Sequence, residues 1–202
     1  MPTLRILLLL AVACSYAPAD PAPVAALPAV QGINLDFEDG ADARGMPLLW
    51  MGGARGYEIA ADGEVVHGGA GSGRIAAKEL EPGKNAAPLV QTISAEPFRG
   101  KRVRLSGWLR TRDVTSGWAG LWMRVDSAAK PNIAFDNMPD RGPRGTTEWK
   151  QYEVVLDVAE EASDVFFGVI LAGNGTVWAD DLALEEVPKS VPLTAVPKPA
   201  AQ

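Results

Sequence analysis

Hydrophobic and polar residues alternate along short runs of this chain, and Gly, Pro, Asp or Asn separates the runs. In residues 102–110, Val103 and Leu105 fall on one face. Trp108 and Arg110 fall on the opposite face. A period of two is typical of strands with one buried face, because successive side chains of a strand point to opposite sides. The run predicts a strand with an aliphatic inner face and an aromatic, cationic outer face.

A second run, residues 120–126, repeats this pattern. Leu121 belongs to its predicted inner face, and the outer positions are Trp122, Arg124 and Asp126. Three further strands are predicted from runs that either alternate in the same way or are apolar on both faces, as in a central strand. These strands cover residues 152–156, 165–171 and 177–184.

The fold class follows from these short strands and their separators. The chain has 21 glycines and 16 prolines, which favour tight turns over long helices. Residues 158–163 alone have a weak helical pattern, and they fit a loop between strands equally well. We therefore predict an all-β fold, an antiparallel jelly-roll β-sandwich of about eight to nine strands.

Composition divides the chain into four segments. The predicted segments are a signal peptide with a lipobox (1–14), a Pro/Ala tether (15–31), the jelly-roll binding domain (32–187) and a disordered Pro/Ala tail (188–202). The Pro/Ala segments cannot bury enough apolar surface to order themselves. One folded domain is expected between them.

The first segment resembles a bacterial export signal. Arg5 supplies its positive charge, and residues 6–13 form an apolar run too short to span a bilayer. Residues 11–14, Ala-Val-Ala-Cys, resemble a lipobox, which predicts lipidation of Cys14; ordinary secretory cleavage slightly later is the alternative. We expect an exported protein, either periplasmic or anchored to the outer membrane as a lipoprotein. Cys14 is the only cysteine, so no intramolecular disulfide can form.

A ligand-binding face is predicted from the outer positions of the two clearest strands. Indole rings stack on the C–H faces of sugars, and guanidinium groups donate hydrogen bonds to hydroxyls. The predicted ligand-binding residues are Trp108, Arg110, Trp122, Arg124, Asp126 and Asn137. A structural role beneath another sheet or loop is the alternative, because tryptophan is heavily buried on average.

Catalytic residues are not expected. His67 is the only histidine, it lies in a Gly-rich segment, and no nucleophile-elbow motif is present. A hydrolase that uses His67 as a base is a third alternative for the function. It would require a carboxylate or a serine within reach of His67.

The ends of the folded unit resemble a known family. Residues 34–40, Asn-Leu-Asp-Phe-Glu-Asp-Gly, and 177–182, Val-Trp-Ala-Asp-Asp-Leu, resemble the opening and closing strands of carbohydrate-binding modules in bacterial xylanases and related galactose-binding-like jelly rolls. The middle more closely resembles the non-catalytic module that precedes bacterial tail-specific-type serine peptidase and erythromycin-esterase-like domains. Residues 105–111, 119–126, 136–138 and 145–152 carry this narrower resemblance.

The resemblance implies a structural calcium ion. In the xylan- and glucan-binding relatives, the positions equivalent to Glu38 and Asp180 hold it. Alternation places Asp180 on the inward side with Trp178 and Leu182, where an uncompensated carboxylate would be costly. The alternative is that Asp180 caps a turn through hydrogen bonds.

These observations predict a non-catalytic exported binding module, with a carbohydrate or glycan as its partner. The alternative is an envelope scaffold domain that mediates protein–protein contacts. The net charge of −6 argues against nucleic acid as a partner, because a polyanion would be repelled.

Overall fold

Ten strands make up nearly all of the regular structure in the residues that the computed structural model describes, 33–80 and 85–195. They are β1 (Met51–Gly52), β2 (Tyr57–Asp62), β3 (Ser72–Ala77), β4 (Ala86–Ser94), β5 (Arg102–Val114), β6 (Gly117–Ser127), β7 (Ala134–Asp136), β8 (Gly145–Asp157), β9 (Ala162–Gly173) and β10 (Thr176–Val187). A 3-10 helix spans Glu96–Phe98. Within this part of the chain, no helix is long and apolar enough to cross a membrane. The predicted signal, Cys14 and the tether lie outside the described residues.

The strands form two antiparallel sheets of five strands each. Sheet I has the order β1-β4-β9-β6-β7, and sheet II has the order β2-β3-β10-β5-β8. From β4 to β6 and from β8 to β10, consecutive strands belong to opposite sheets. This confirms the predicted antiparallel jelly-roll β-sandwich. The ten described strands exceed the predicted eight to nine, because the short strands β1 and β7 have too few residues to show a period.

The core lies between the sheets and consists of the predicted inner faces. Val103, Leu105 and Leu109 of β5 are fully buried, as are Leu121 and Met123 of β6. Each buried aliphatic side chain contributes about 1.5–3 kcal/mol through removal of apolar surface from water. The alternation in these two strands therefore identified the correct core residues.

The short segment between β8 and β9 is a loop. Val158 accepts a backbone hydrogen bond from Gly100 at 2.9 Å and donates one to Lys101 at 2.9 Å. These bonds connect it to the segment before β5 rather than to a helical turn. The loop alternative for residues 158–163 is therefore the correct one, with β9 beginning at Ala162.

The ordered unit continues beyond Val187, the predicted end of the domain. The backbone N–H of Thr194 donates to the carbonyl of Val155 at 3.1 Å, and the N–H of Val155 donates to Thr194 Oγ1 at 2.7 Å. Arg102 also donates to the carbonyl of Lys189 at 2.7 Å. The first part of the predicted disordered tail, residues 188–195, thus lies against β5 and β8. Composition missed this because backbone hydrogen bonds do not depend on a hydrophobic pattern.

Candidate binding site

The predicted ligand-binding residues do not share one face. Trp108 and Arg110 lie on the outer face of sheet II, whereas Trp122 and Arg124 lie on the outer face of sheet I. The expectation of a single face is wrong, because β5 and β6 belong to opposite sheets. Alternation tells which side of a strand faces the core, but it does not tell which sheet the strand joins.

The outer residues of β6 are engaged with one another and with their neighbours. Trp122 is 9% exposed, so its ring is not an open platform for a sugar. The Arg124 guanidinium lies 4.3 Å from the centroid of the Phe166 ring and donates to Asp126 at 2.9 Å. Asp126 also accepts the backbone N–H of Asn132 at 2.8 Å. This cluster fits the structural alternative, and ligand binding by its members stays a prediction.

Asn137 lies in the connection from β7 to β8, beside the outer face of sheet I. Its backbone carbonyl accepts a hydrogen bond from Trp118 Nε1 at 3.0 Å. The neighbouring Met138 is buried. Asn137 therefore belongs to the segment that carries the chain from sheet I to sheet II, and its predicted ligand contact stays untested.

An aromatic cluster lies on the outer face of sheet II. The His67 ring stacks on Trp108, with 4.0 Å between ring centroids and 16° between planes. Trp149 of β8 meets the His67 ring edge-on at 5.7 Å. We call His67, Trp108 and Trp149 the aromatic end of the site. Sequence reasoning did not select His67 or Trp149 for binding, because only the fold brings the loop after β2 across β5 and β8.

Two consecutive carboxylates of β10 hold this loop. Asp181 Oδ2 lies 2.6 Å from His67 Nδ1, and Asp180 Oδ2 accepts the backbone N–H groups of His67 and Gly68 at 2.7 and 3.2 Å. The register between β10 and β5 shifts between Asp180 and Ala183, and Asp181 has a positive φ of 47°. A bulge of this kind breaks the alternation, so both carboxylates reach the outer face.

Asp180 is buried, but not in the core. It is fully shielded from solvent and pairs in register with Trp108, whose ring lies on the outer face. The expectation that Asp180 and Trp178 face inward with Leu182 is therefore wrong for both, because Trp178 pairs in register with Arg110 of the same outer face. The loop covers Asp180 from outside. Burial raises the pKa of Asp180 and the Asp181 charge raises it further, while the hydrogen bonds from backbone amides oppose the shift.

This raised pKa predicts a pH dependence with a definite sign. Ionising Asp180 costs more free energy in the folded state than in the unfolded chain. The protonated carboxyl therefore stabilises the folded state relative to the ionised one, and this contribution is lost as pH rises above 3.8. In D180N the position cannot ionise. We therefore expect the free energy of unfolding of D180N, relative to wild type, to increase between about pH 4 and about pH 7. Urea unfolding at each pH measures it, and a relative decrease would contradict the raised pKa.

The residues predicted to hold calcium do not fit that ion. Glu38 accepts the backbone N–H groups of Ala70 and Gly71 at 2.8 and 3.1 Å, and Asp180 accepts amides of the same loop. Backbone amides thus already hydrogen-bond these two carboxylates, whereas calcium takes about six to eight oxygen ligands. No group of three or more His, Cys, Asp or Glu within residues 33–80 and 85–195 is placed to hold a metal.

Chelator is accordingly expected to leave the melting temperature unchanged. Because Glu38 and Asp180 are satisfied by amides, removing divalent cations should not destabilise the loop. Thermal unfolding of the full chain with EDTA, and with added calcium, tests this. A fall of several degrees in EDTA that calcium reverses would restore the calcium prediction, because a ligand that binds only the folded state raises its stability.

A groove extends from the aromatic end along β5, β8 and β10. It has a volume of about 350 Å³ and is lined by Arg104, Ser106, Gln151, Tyr152, Glu153 and Glu185. We call these residues the binding groove. Gln151 pairs in register with Trp108, and Ser106 lies two residues before Trp108 on the same face, about 7 Å along the strand. The groove and the aromatic end are therefore contiguous.

Arg110 lies beside this surface but is already paired. Its guanidinium lies 3.5 Å from the carboxylate of Glu148, whose side chain is 81% exposed. Such an exposed ion pair is worth little and can open easily. Arg110 therefore remains available to a ligand that passes over Trp108.

The third alternative, hydrolysis with His67 as base, required a carboxylate or a serine within reach of His67, and the structure provides the carboxylate. Asp181 supplies a carboxylate at 2.6 Å from the ring. In the described part of the chain, no serine or threonine hydroxyl hydrogen-bonds to the His67 ring. The same contacts explain His67 as an anchor that fixes the loop on Trp108.

Comparisons with solved structures identify the fold. The chain is similar to the CBM22-1 xylan-binding domain of Paenibacillus barcinonensis, with a TM-score of 0.53 and 11% identity over 75% of this chain and 91% of that one. A family 16 carbohydrate-binding module gives a TM-score of 0.52 and 20% identity over 75% of this chain and 96% of that one. The chain has the fold of these modules. At such low identity the likeness establishes the fold alone.

A sequence comparison gives a relative of a different kind. The chain is 43% identical over 143 residues to the uncharacterized HTH-type transcriptional regulator YbfP of Bacillus subtilis. The matched region covers 71% of this chain and 48% of the relative. The chain thus spans about half the length of that relative. A helix-turn-helix motif needs two α-helices, and residues 33–80 and 85–195 contain none. No protein-family model matches the chain.

Proposed function

We propose that this protein is an exported, non-catalytic module that binds a carbohydrate or glycan along the outer face of sheet II. The observation that carries the proposal is the contiguity of the binding groove with the aromatic end. Sites for small ligands combine apolar or aromatic walls with a few convergent polar groups in a concave surface. The aromatic end supplies the aromatic wall, and Ser106, Gln151 and Arg104 supply the polar groups.

The chemistry of the surface suits sugar rings. Trp149 and His67 present aromatic surface beside the groove, and their T-shaped contact holds both rings in fixed positions. Ser106 and Gln151 can each donate to and accept from a hydroxyl. Trp108 contributes indirectly, because the His67 ring covers one of its faces.

The structural neighbours support a binding role. They are modules whose names state xylan or carbohydrate binding. The narrower resemblance, to modules beside peptidase and esterase-like domains, stays a prediction.

A glycan screen of the full chain tests the proposal. Hits would be titrated calorimetrically against wild type and Gln151→Ala, which we expect to weaken binding about fivefold through loss of one or more hydrogen bonds. Thr92→Ala is the matched control, because it truncates an exposed polar side chain on the outer face of sheet I. An equal loss of glycan affinity in both variants, or no glycan binding by wild type, would refute the proposed binding site.

The scaffold alternative has its own supporting observation. Phe135, on edge strand β7 of sheet I, is a large apolar side chain with 41% exposure, and it pairs in register with Arg124, which lies over the Phe166 ring. Exposed apolar residues of this size mark protein contacts when they form a patch. If the protein is a scaffold, Phe135→Ser will abolish association with one envelope protein while Gln151→Ala preserves it. The reverse pattern would favour the glycan site.

Export and anchoring are also proposed, on the sequence alone. Lipidation of Cys14 predicts that the wild-type protein takes up a labelled fatty acid and partitions into detergent. Cys14→Ser should be unlabelled and soluble. Equal labelling of both proteins would exclude Cys14 as the modified residue.

A further inference from the structure

We propose that the binding groove selects its ligand by charge, favouring saccharides that carry a free amine over neutral ones, and neutral ones over acidic ones. This inference rests on the proposed function, because it concerns the same site. It is carried by the ionic groups of the groove, which number two carboxylates, Glu153 and Glu185, against one guanidinium, Arg104.

Arg104 is already occupied by Glu185. Its Nε and Nη2 atoms both donate to Glu185 Oε1, at 2.8 and 2.6 Å. An acidic sugar would have to displace this carboxylate to reach the guanidinium. It would do so while facing the second carboxylate of the groove, and like charges at close range repel.

Glu153 is only loosely paired. Its Oε2 lies 3.6 Å from Arg104 Nη1, which is beyond hydrogen-bond distance, and half of its side chain is exposed. The hydrogen bonds from Arg104 to Glu185 both end on Oε1, so Glu185 Oε2 accepts none of them. Acceptor oxygens on both walls of the groove therefore remain open to a donor from a ligand.

An ammonium group satisfies this arrangement best. It has three donors and no acceptor. Its positive charge also compensates the one negative charge that remains when a single guanidinium faces two carboxylates. Charge-assisted hydrogen bonds are also stronger than those from a neutral hydroxyl or N-acetyl group. The net charge of −6 would further attract cationic ligands at low salt.

The test uses three tetrasaccharides titrated into the full chain: a glucosamine tetramer, its fully N-acetylated form and a tetragalacturonate. We expect the amine form to bind about two- to fivefold more tightly than the acetylated form, the range typical of exposed ionic contacts, and the galacturonate to bind most weakly. The difference should shrink as ionic strength rises, because salt screens exposed charges.

Glu153→Gln keeps the shape of the groove but removes one carboxylate, so the preference for the amine should fall toward unity. Glu186→Gln is the matched control: it changes the net charge equally, but its carboxylate pairs with Lys101 at 2.9 Å and does not line the groove. An equal effect of both variants, or tight binding of galacturonate, would overturn charge selection by the groove while leaving glycan binding intact. Failure of all saccharides, neutral ones included, would refute the proposed function instead.

Discussion

Asp180→Ala is expected to lower the free energy of unfolding by about 2–4 kcal/mol, since buried donors without partners each cost about 1–3 kcal/mol. The substitution deprives the backbone N–H groups of His67, Gly68 and Asp181 of their shared acceptor. Relief of the buried charge and entry of water offset part of this cost. For a chain of this size the melting temperature should fall by roughly 5–15 °C.

Asp181→Asn is the matched control for this prediction, because asparagine tolerates the positive φ of this position. It removes the neighbouring carboxylate, but that side chain is 43% exposed and its contact is with the His67 ring. We expect a loss below about 1 kcal/mol, typical of an exposed pair. Chemical denaturation of both variants measures the difference. Equal stability of Asp180→Ala and wild type would mean that the amides of the loop do not depend on Asp180.

Trp149→Ala is expected to weaken glycan binding at least about tenfold, which corresponds to ~1.4 kcal/mol. Trp149 is a half-buried ring beside the groove, and its removal also frees the His67 ring on one side. Aromatic anchors beside a groove commonly dominate binding energy. Trp149→Phe should recover part of the affinity, because it retains a smaller aromatic surface. Titration with the best glycan from the screen gives these values.

Phe135→Ala provides the control for the loss of an aromatic side chain. Phe135 is 41% exposed and lies on sheet I, away from the groove. Its removal should leave glycan affinity unchanged within about twofold. Unchanged binding by Trp149→Ala, with a melting temperature equal to that of wild type, would exclude the aromatic end as the site of stacking.

The strands and the core could be predicted from the sequence because their signal is local. Val103, Leu105 and Leu109 alternate with polar positions, and burial of an aliphatic side chain depends mainly on that alternation. The short edge strands β1 and β7 could not be predicted, because two or three residues carry no period. Residues 188–195 were missed for a related reason, since their order comes from hydrogen bonds to β5 and β8.

The candidate site depended on information that is not local. Trp108 was correctly placed on an outer face, but its partners His67 and Trp149 are distant in sequence. The grouping of Trp108 with Trp122 failed because the chain changes sheets between β5 and β6. Asp180 was misplaced because the bulge at Asp181 reverses the alternation within β10.

By itself, then, the sequence determined an all-β sandwich and the residues of its interior, because the hydrophobic effect acts on every strand according to its own pattern. The tertiary structure alone decided which outer residues meet, since that depends on sheet order, on one bulge and on a loop fixed by the buried carboxylate of Asp180. These are long-range contacts, and no spacing along the chain encodes them. The groove between Glu153 and Glu185 is the product of that order, because β5 separates β8 from β10 in sheet II.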